Sequence, residues 1–315
     1  MRYHYLSDLH IDATKNPKRI GEFIPETMDS DTWIPEINRL IVAGDISQRS
    51  SQLKLFLSEC SYHFADVIVV LGNHDYIEEG IGADVLLRRF MEDKVTGFPN
   101  IHVLTDTNEC VEFGDIIFFG GTMWTNYNKR NTVDMEAAKR YMPELRYLSQ
   151  IDICEEHDRF LYRLEKFNSD AYGEKVRVCL THHMPDSSSI SPRYFGSAIN
   201  SAFAAGVKPS LINKFDVWIH GHTHSEFNHQ TQGAVTILCN PHGYPRENPK
   251  FTPCWFSVEN QAYVEVPDSH LVGPFPLLSD AFRYSQNLHS MTGKSSEVVY
   301  KKGIVTQKGT PIKCN

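Results

Sequence analysis

Five short apolar runs in this 315-residue chain each end directly in polar side chains of the kinds that bind ligands. The runs are rich in β-branched and aromatic residues, which is typical of buried strands. They cover residues 3–6, 40–43, 67–71, 176–180 and 215–219. Open α/β sheets hold their sites outside the carboxyl ends of their strands. We therefore expect the polar side chains after these runs to meet at one edge of the fold.

Helical and hairpin patterns lie among and after these runs. Apolar residues recur at helical spacing over 51–61, 83–92 and 155–167, which predicts amphipathic helices. A hairpin is predicted over 111–119, turning near Gly114, and two further strands over 235–238 and 255–258. These elements indicate an α/β protein with a two-layer β core covered by helices.

The chain is longer than one average domain but not clearly two. Because the pattern weakens near its end, we predict one main domain over 1–265 and a C-terminal extension of unknown role over 266–315. Residues 291–315 contain five lysines and one glutamate. We expect a solvated extension there rather than a binding arm.

The cysteines and the hydropathy of the chain indicate the cellular compartment in which we expect the protein. The seven cysteines are odd in number, widely spread and without a C-x-x-C pair, which favours reduced thiols over a disulfide framework. Residues 1–5 lack the apolar stretch of a signal peptide, and no run approaches the roughly 18 apolar residues that span a bilayer. We expect a cytoplasmic protein with no membrane partner.

A formal net charge of −8 argues against a general affinity for nucleic acid. Nucleic acid therefore enters only as a possible substrate. The charge does not exclude a phosphate substrate, because bound cations can reverse the local field. The sequence makes no prediction of oligomeric state.

Carboxylates and imidazoles recur after the first two runs. Asp8 and His10 are two residues apart, so their side chains point to the same side of an extended chain and can hold one cation. Asp45 follows Gly44, which has no side chain and lets metals and substrate approach the backbone. One such carboxylate can bridge two cations.

Later strand ends carry the same chemistry. Asn73 offers an amide oxygen, His74 an imidazole and Asp75 a further acid, while His222 and His224 place two imidazoles on one face. Any one of these fragments is more often a cap, turn or packing element. All of them together, in this order and at strand ends, indicate a metal centre.

With these motifs the chain resembles the calcineurin-like metallophosphoesterase superfamily over about residues 1–260. Every element of the superfamily pattern D-x-H, G-D, G-N-H-[DE], H and G-H-x-H is present, as Asp8-Leu9-His10, Gly44-Asp45, Gly72-Asn73-His74-Asp75, His182 and Gly221-His222-Thr223-His224. Residues 121–125 and 239–245 also look typical of bacterial and phage members, except that His242 stands where we expect an arginine. The resemblance implies a four-layer α/β/β/α sandwich, two mixed β-sheets flanked by helices, with the metal site at strand C-terminal ends.

The resemblance also implies two divalent metal ions. One would take Asp8, His10, His224 and a bridging Asp45, and the other Asp45, Asn73, His182 and His222. Nitrogen and oxygen ligands suit Mn²⁺, Fe or Zn²⁺, and Mn²⁺ is our first expectation.

Catalytic roles follow from the same resemblance. His74 would bind no metal and would donate to the phosphoryl oxygen or protonate the leaving group. Asp75 would orient His74 by accepting from its other ring nitrogen. Adjacent strand residues face opposite sides, so His182 and His183 should not both bind the same metal. The family pattern favours His182, with His183 as the alternative.

The chain is thus expected to hydrolyse a phosphomonoester or phosphodiester with water activated by two metals. The pocket could be shaped by further polar and aromatic residues, namely Trp124, Asn126, Tyr127, Asn200, His242 and Tyr244. One alternative is a metal-dependent nuclease, against which stands the lack of a basic, aromatic strand-binding segment. Another is a non-catalytic scaffold on the same fold, against which stands the intact ligand set.

Overall fold

The computed structural model describes residues 1–95, 97–266, 270–275, 278–292, 296–306 and 311–312. Its strands are β1 (Arg2–Leu6), β2 (Asn38–Ala43), β3 (Asp66–Val70), β4 (Ile101–Val103), β5 (Cys110–Phe113), β6 (Ile116–Gly121), β7 (Val176–Thr181), β8 (Val217–Ile219), β9 (Phe227–Gln230), β10 (Thr236–Cys239), β11 (Cys254–Val266), β12 (His270–Phe275), β13 (Glu297–Thr306) and β14 (Pro311–Ile312). Its helices are α1 (Ile20–Phe23), α2 (Ser50–His63), α3 (Ala83–Met91), α4 (Tyr127–Arg130), α5 (Thr132–Tyr141), α6 (Gln150–Lys166), α7 (Pro209–Ile212) and α8 (Leu278–Thr292).

The strands form two mixed sheets. The first has the order β14-β13-β11-β1-β2-β3-β4, with β12 also paired to β11. Its strands β1 to β4 are parallel, whereas β11 to β14 pair in antiparallel fashion. The second has the order β5-β6-β7-β8-β10-β9, parallel in its centre and antiparallel at both edges.

Adjacent residues of each central strand face different layers. Phe118 points between the sheets, where its ring centroid lies 5.9 Å from that of Tyr3. Its neighbour Phe119 points outward onto Phe160 of α6, with the ring centroids 5.6 Å apart. This alternation gives the second sheet two buried faces.

The first sheet is covered in the same way. Val42 of β2 packs outward in one cluster with Leu53 and Phe56 of α2, while its neighbour Ile41 faces the second sheet. Helix, sheet, sheet and helix therefore form four layers, and the predicted sandwich of two mixed sheets is confirmed.

The five predicted strands correspond to β1, β2, β3, β7 and β8, and the predicted hairpin to β5 and β6. The helix predicted over 155–167 begins five residues earlier, at Gln150. Its start is set by Ser149, whose side chain accepts a hydrogen bond from the Asp152 backbone N–H. Such a cap satisfies a free N–H at the first turn, and the apolar pattern does not report it.

The C-terminal residues extend the first sheet. The β13 strand pairs with β11 over its whole length, and Lys302 donates to a carboxylate oxygen of Asp115 over 2.9 Å. The expectation of a solvated extension is therefore wrong for Glu297–Thr306, because backbone pairing with a distant strand orders it. We propose that 1–265 is the catalytic unit and that the described strands beyond it, β12 to β14, add to its edge.

No helix in the described part of the chain combines the length and the hydropathy that a membrane-spanning helix needs.

The two sheets meet at the carboxyl ends of their parallel strands. The Gly221 N–H after β8 donates to the His182 carbonyl after β7 over 3.0 Å, and the Asp8 N–H after β1 donates to the Gly44 carbonyl after β2 over 2.9 Å. His182 Nδ1 lies 2.8 Å from the Ala43 carbonyl oxygen and so links the second sheet to the first. The loops after β1, β2, β7 and β8 are thereby fixed around one point.

Candidate metal centre

Five of the candidate ligands have left-handed backbone conformations. The φ angles are positive at Asp8 (53°), His10 (42°), Asp45 (56°), His222 (68°) and His224 (49°). Such angles are uncommon outside glycine and cost on the order of 1–3 kcal/mol each, and they cluster at functional sites. Here they turn the chain sharply after β1, β2 and β8, which directs the side chains back over the strand ends.

Gly44 allows this convergence. Its φ is +83°, and a Cβ there would lie 2.5 Å from the Gly72 backbone nitrogen and 2.6 Å from His182 Nδ1. Any side chain would push apart the loops after β2 and β3. The glycine is therefore required by both conformation and space.

Asp8, His10, Asp45 and His224 form the first cluster, with ligand atoms all within 4.8 Å of one another. His224 Nε2 lies 3.1 Å from His10 Nε2 and 3.4 Å from Asp8 Oδ1. Asp45 Oδ2 lies 3.7 Å from His10 Nε2. The cluster brings together the first predicted ligand set.

Asp45, His182 and His222 form the second cluster within the same limit. His182 Nε2 lies 2.9 Å from Asn73 Oδ1, 3.2 Å from His222 Nδ1 and 3.5 Å from Asp45 Oδ1. The two oxygens of Asp45 thus face different clusters. One carboxylate is shared, as a bridging role requires.

His183 contributes no ligand atom to either cluster, although its ring centroid lies 4.4 Å from that of His222. Its Nδ1 is 3.3 Å from the Thr122 carbonyl oxygen, and its ring centroid is 5.3 Å from that of Trp124. The two neighbouring histidines follow the end of β7 and face different surroundings. The structure places His182, not His183, beside Asn73 and Asp45.

Burial and neighbouring charges set the protonation of these groups. Burial lowers the pKa of His10 to about 4 and, with the nearby His183 and His182, lowers the pKa of His222 well below its ordinary value. Burial opposes ionisation of Asp8, but the hydrogen bond and charge of His224 lower its pKa. Burial alone would lower the pKa of His224, but its hydrogen bonds to Asp8 and Glu247 raise it to about 10. Divalent cations bind neutral imidazoles and ionised carboxylates, so metal binding at His224 would release its extra proton.

These residues fit two divalent metal ions. The convergent atoms are nitrogen and oxygen only, and Asp8 and Asp45 are almost fully buried. Imidazole nitrogens that face each other across 3.1–3.2 Å, next to buried carboxylates, are costly to desolvate without a cation between them.

Two glutamates that the sequence motifs did not reveal support the ligands. Glu247 Oε2 accepts a hydrogen bond from His224 Nδ1 over 2.7 Å, which leaves Nε2 facing the cluster. Glu144 Oε1 accepts from Asn73 Nδ2 over 2.7 Å, which turns the amide oxygen toward His182. Such outer partners fix the orientation of metal ligands.

The His74 ring is held by Gln48 rather than by Asp75. Gln48 Nε2 donates to His74 Nδ1 over 3.1 Å, which leaves the ring proton on His74 Nε2 in the cleft. The His74 backbone N–H donates to Asp45 Oδ1 over 2.9 Å. The residue is thus tied directly to the shared carboxylate.

The predicted contact between Asp75 and His74 is wrong. The Asp75 carboxylate instead accepts hydrogen bonds from the backbone N–H groups of Asp45, Ile46, Ser47 and Gly72, each over 2.8 Å. Burial and the charge of Asp45 raise the pKa of Asp75, and the hydrogen bonds from Gly72, Ser47 and Ile46 oppose that shift. Asp75 therefore holds the loop that presents Asp45.

A cleft of ≈ 260 Å³ opens over the metal centre, and His74, Asn200 and Tyr244 are among its lining residues. Trp124 and Tyr127 are buried beneath the surface. His242, in place of the expected arginine, has its Nε2 2.8 Å from Lys18 Nζ.

The sequence profile of the calcineurin-like phosphoesterase family matches residues 1–226, and the chain belongs to this family. An uncharacterised protein of Acanthamoeba polyphaga mimivirus is 24% identical over 271 residues, which is 79% of this chain and 93% of that protein.

Two solved structures have a similar fold. A phosphopantetheinyl hydrolase of Mycobacterium tuberculosis matches with a TM-score of 0.56 at 17% identity, over 87% of this chain and 96% of that one. A dimetal phosphatase of Danio rerio matches with a TM-score of 0.50 at 12% identity, over 84% of this chain and 94% of that one.

Replacing Asp75 with Asn should destabilise the protein. An amide has one acceptor oxygen, and its NH₂ group would face backbone donors. Because hydrogen bonds to a charged group contribute about 1.5–3 kcal/mol, we expect the free energy of unfolding to fall by about 2 kcal/mol or more. Urea denaturation measures it, with exposed Glu174→Gln as the control for charge. Equal stability of the two variants would contradict the structural role.

Replacing Glu247 with Gln should weaken one metal site selectively. The variant loses the carboxylate that orients and polarises His224, and we expect the affinity of that site for Mn²⁺ to fall about tenfold. Competition with a fluorescent chelator resolves the two dissociation constants. Glu226→Gln removes the same charge from an exposed position two residues beyond His224. A similar loss in both variants would assign the effect to net charge alone.

Proposed function

We propose that this protein catalyses metal-dependent hydrolysis of a phosphomonoester or phosphodiester at the two clusters that share Asp45. The observation that carries the proposal is the position of that carboxylate, with one oxygen toward His10 and the other toward His182. Two divalent cations, when bound, would polarise the phosphoryl oxygens and lower the pKa of water. Mn²⁺ is the proposed ion, and Fe or Zn²⁺ would suit the same ligands.

The chain's own residues would bind the metals, donate a proton and orient the ligands. Asp8, His10 and His224 would hold one ion, Asn73, His182 and His222 the other, and Asp45 both. His74 would give its Nε2 proton to a phosphoryl oxygen or to the departing oxygen, since Gln48 occupies its Nδ1. Glu247 and Glu144 would keep the ligand atoms aimed inward.

We further propose a cytoplasmic location. The support is that Cys60, Cys110, Cys154, Cys179 and Cys239, which lie among the described residues, are free thiols.

The test is hydrolysis of p-nitrophenyl phosphate and of its bis ester by metal-free protein with and without added Mn²⁺. We expect turnover of at least one ester only with metal. Asp45→Ala should abolish activity and binding of both metals. His74→Ala should lower kcat by about 10²–10⁴-fold while both metals stay bound.

His63→Ala is the matched control, because it removes an imidazole at the end of α2, beside the start of β3, whereas the ligand Asn73 follows the opposite end of that strand. It should keep full activity. Metal-independent turnover, or full activity in Asp45→Ala, would overturn the proposal.

A further inference from the structure

The cleft over the metal centre has apolar walls. One wall comes from the end of α5 and the turn after it, and the other from the loop between residues 190 and 203. The aromatic and aliphatic side chains among the lining residues include Tyr141, Met142, Ile190, Tyr194, Ile199 and Phe203. Ligand pockets with such walls derive their affinity mainly from apolar contact.

Aromatic faces lie directly against both clusters. The Phe203 ring lies over His222, with centroids 4.3 Å apart and planes at 33°. The Tyr244 ring stacks on His10 with centroids 4.1 Å apart and planes at 18°. A group that leaves a phosphoryl centre held at these clusters meets an aromatic surface on either side.

The lining residues carry acidic charge and no permanent cation. Asp45, Glu144 and Glu247 are their carboxylates, and no lysine or arginine is among the described residues that line the cleft. Arg193 stands nearby, but its guanidinium lies 4.6 Å from the Tyr194 ring centroid and 3.9 Å from Glu247 Oε1. The Glu247 carboxylate therefore already faces the positive charge of Arg193.

We propose that the substrate of this site is a phosphate ester whose leaving group is uncharged, apolar and about the size of one aromatic ring, with no second phosphate. This rests on the proposed hydrolytic function. Water forms the new bond to phosphorus, the bond to the leaving oxygen breaks, and that oxygen takes a proton, so the products are inorganic phosphate and a neutral alcohol or phenol.

Two effects favour this substrate over one that carries a second phosphate. Contact with the apolar walls removes the leaving group from water, which favours binding by about 25 cal/mol per Å² of apolar surface. A second phosphate would have to lie against these apolar side chains, and no lysine or arginine among the described lining residues would pair with it. The walls therefore favour an apolar leaving group and disfavour a charged one.

The experiment compares three alkyl esters of similar intrinsic reactivity on the Mn²⁺-loaded protein: 2-phenylethyl phosphate, glycerol 1-phosphate and ethylene glycol bisphosphate. We expect kcat/KM for the phenylethyl ester to exceed both others by about tenfold or more, because apolar groups in a fitted pocket discriminate on that scale. Calorimetry with 2-phenylethylphosphonate, which cannot be hydrolysed, should give binding about tenfold tighter than with methylphosphonate.

A pair of adjacent aromatic residues supplies the matched variants. Tyr194 lines the cleft and is 45% exposed, whereas its neighbour Phe195 is 70% exposed and lies outside the lining. Tyr194→Ala should reduce kcat/KM for the phenylethyl ester and weaken phosphonate binding about tenfold, with little effect on the glycerol ester. Phe195→Ala should change none of these.

The outcomes separate the two proposals. Faster hydrolysis of the bisphosphate than of the phenylethyl ester, or equal effects of the two alanine variants, would overturn the inference and leave hydrolysis in place. Absence of metal-dependent turnover with all three esters and both p-nitrophenyl substrates would overturn the proposed function, and the inference with it.

Discussion

The shared carboxylate of Asp45 is the contact on which the rest of this site depends. Its two oxygens face the two clusters, at 3.7 Å from His10 Nε2 and 3.5 Å from His182 Nε2. Because it is almost fully buried, its charge is expensive unless partners surround it. The His74 N–H supplies one such partner. Asp75 fixes the Asp45 loop through three of its backbone N–H groups.

The sandwich brings the partners of the Asp45 carboxylate together. Parallel strands from both sheets end at the same edge, so ligands far apart in the chain meet there. Left-handed turns after the strands aim the side chains inward, and the dense backbone hydrogen bonding of the loops holds those turns in place. The same loops carry Tyr244 and Phe203 against the ligand rings, so the metal centre and the wall of the cleft are built from one set of contacts.

Features with local signatures could be predicted from the sequence, and those made by distant contacts could not. Asp8, His10 and Asp45 follow apolar strands at fixed short spacings, which indicates an α/β fold with a metal centre at its strand ends, whereas the four layers and the two ligand sets follow from the resemblance to the calcineurin-like superfamily. Glu144 accepts a hydrogen bond from Asn73, which is 71 residues away in the sequence, and no local spacing predicts that contact. The role of Asp75 was missed because its partners are backbone N–H groups that any residue carries. The β13 strand was missed because lysines interrupt its apolar pattern and its order comes from pairing with β11.

The most direct test of a shared Asp45 is anomalous scattering from crystals soaked in Mn²⁺. The account predicts two anomalous peaks about 3.5–4 Å apart, with an Asp45 oxygen bound to each. Asp8, His10 and His224 should complete one site, and Asn73, His182 and His222 the other. A single peak, two peaks without Asp45 between them, or coordination by His183 would contradict it.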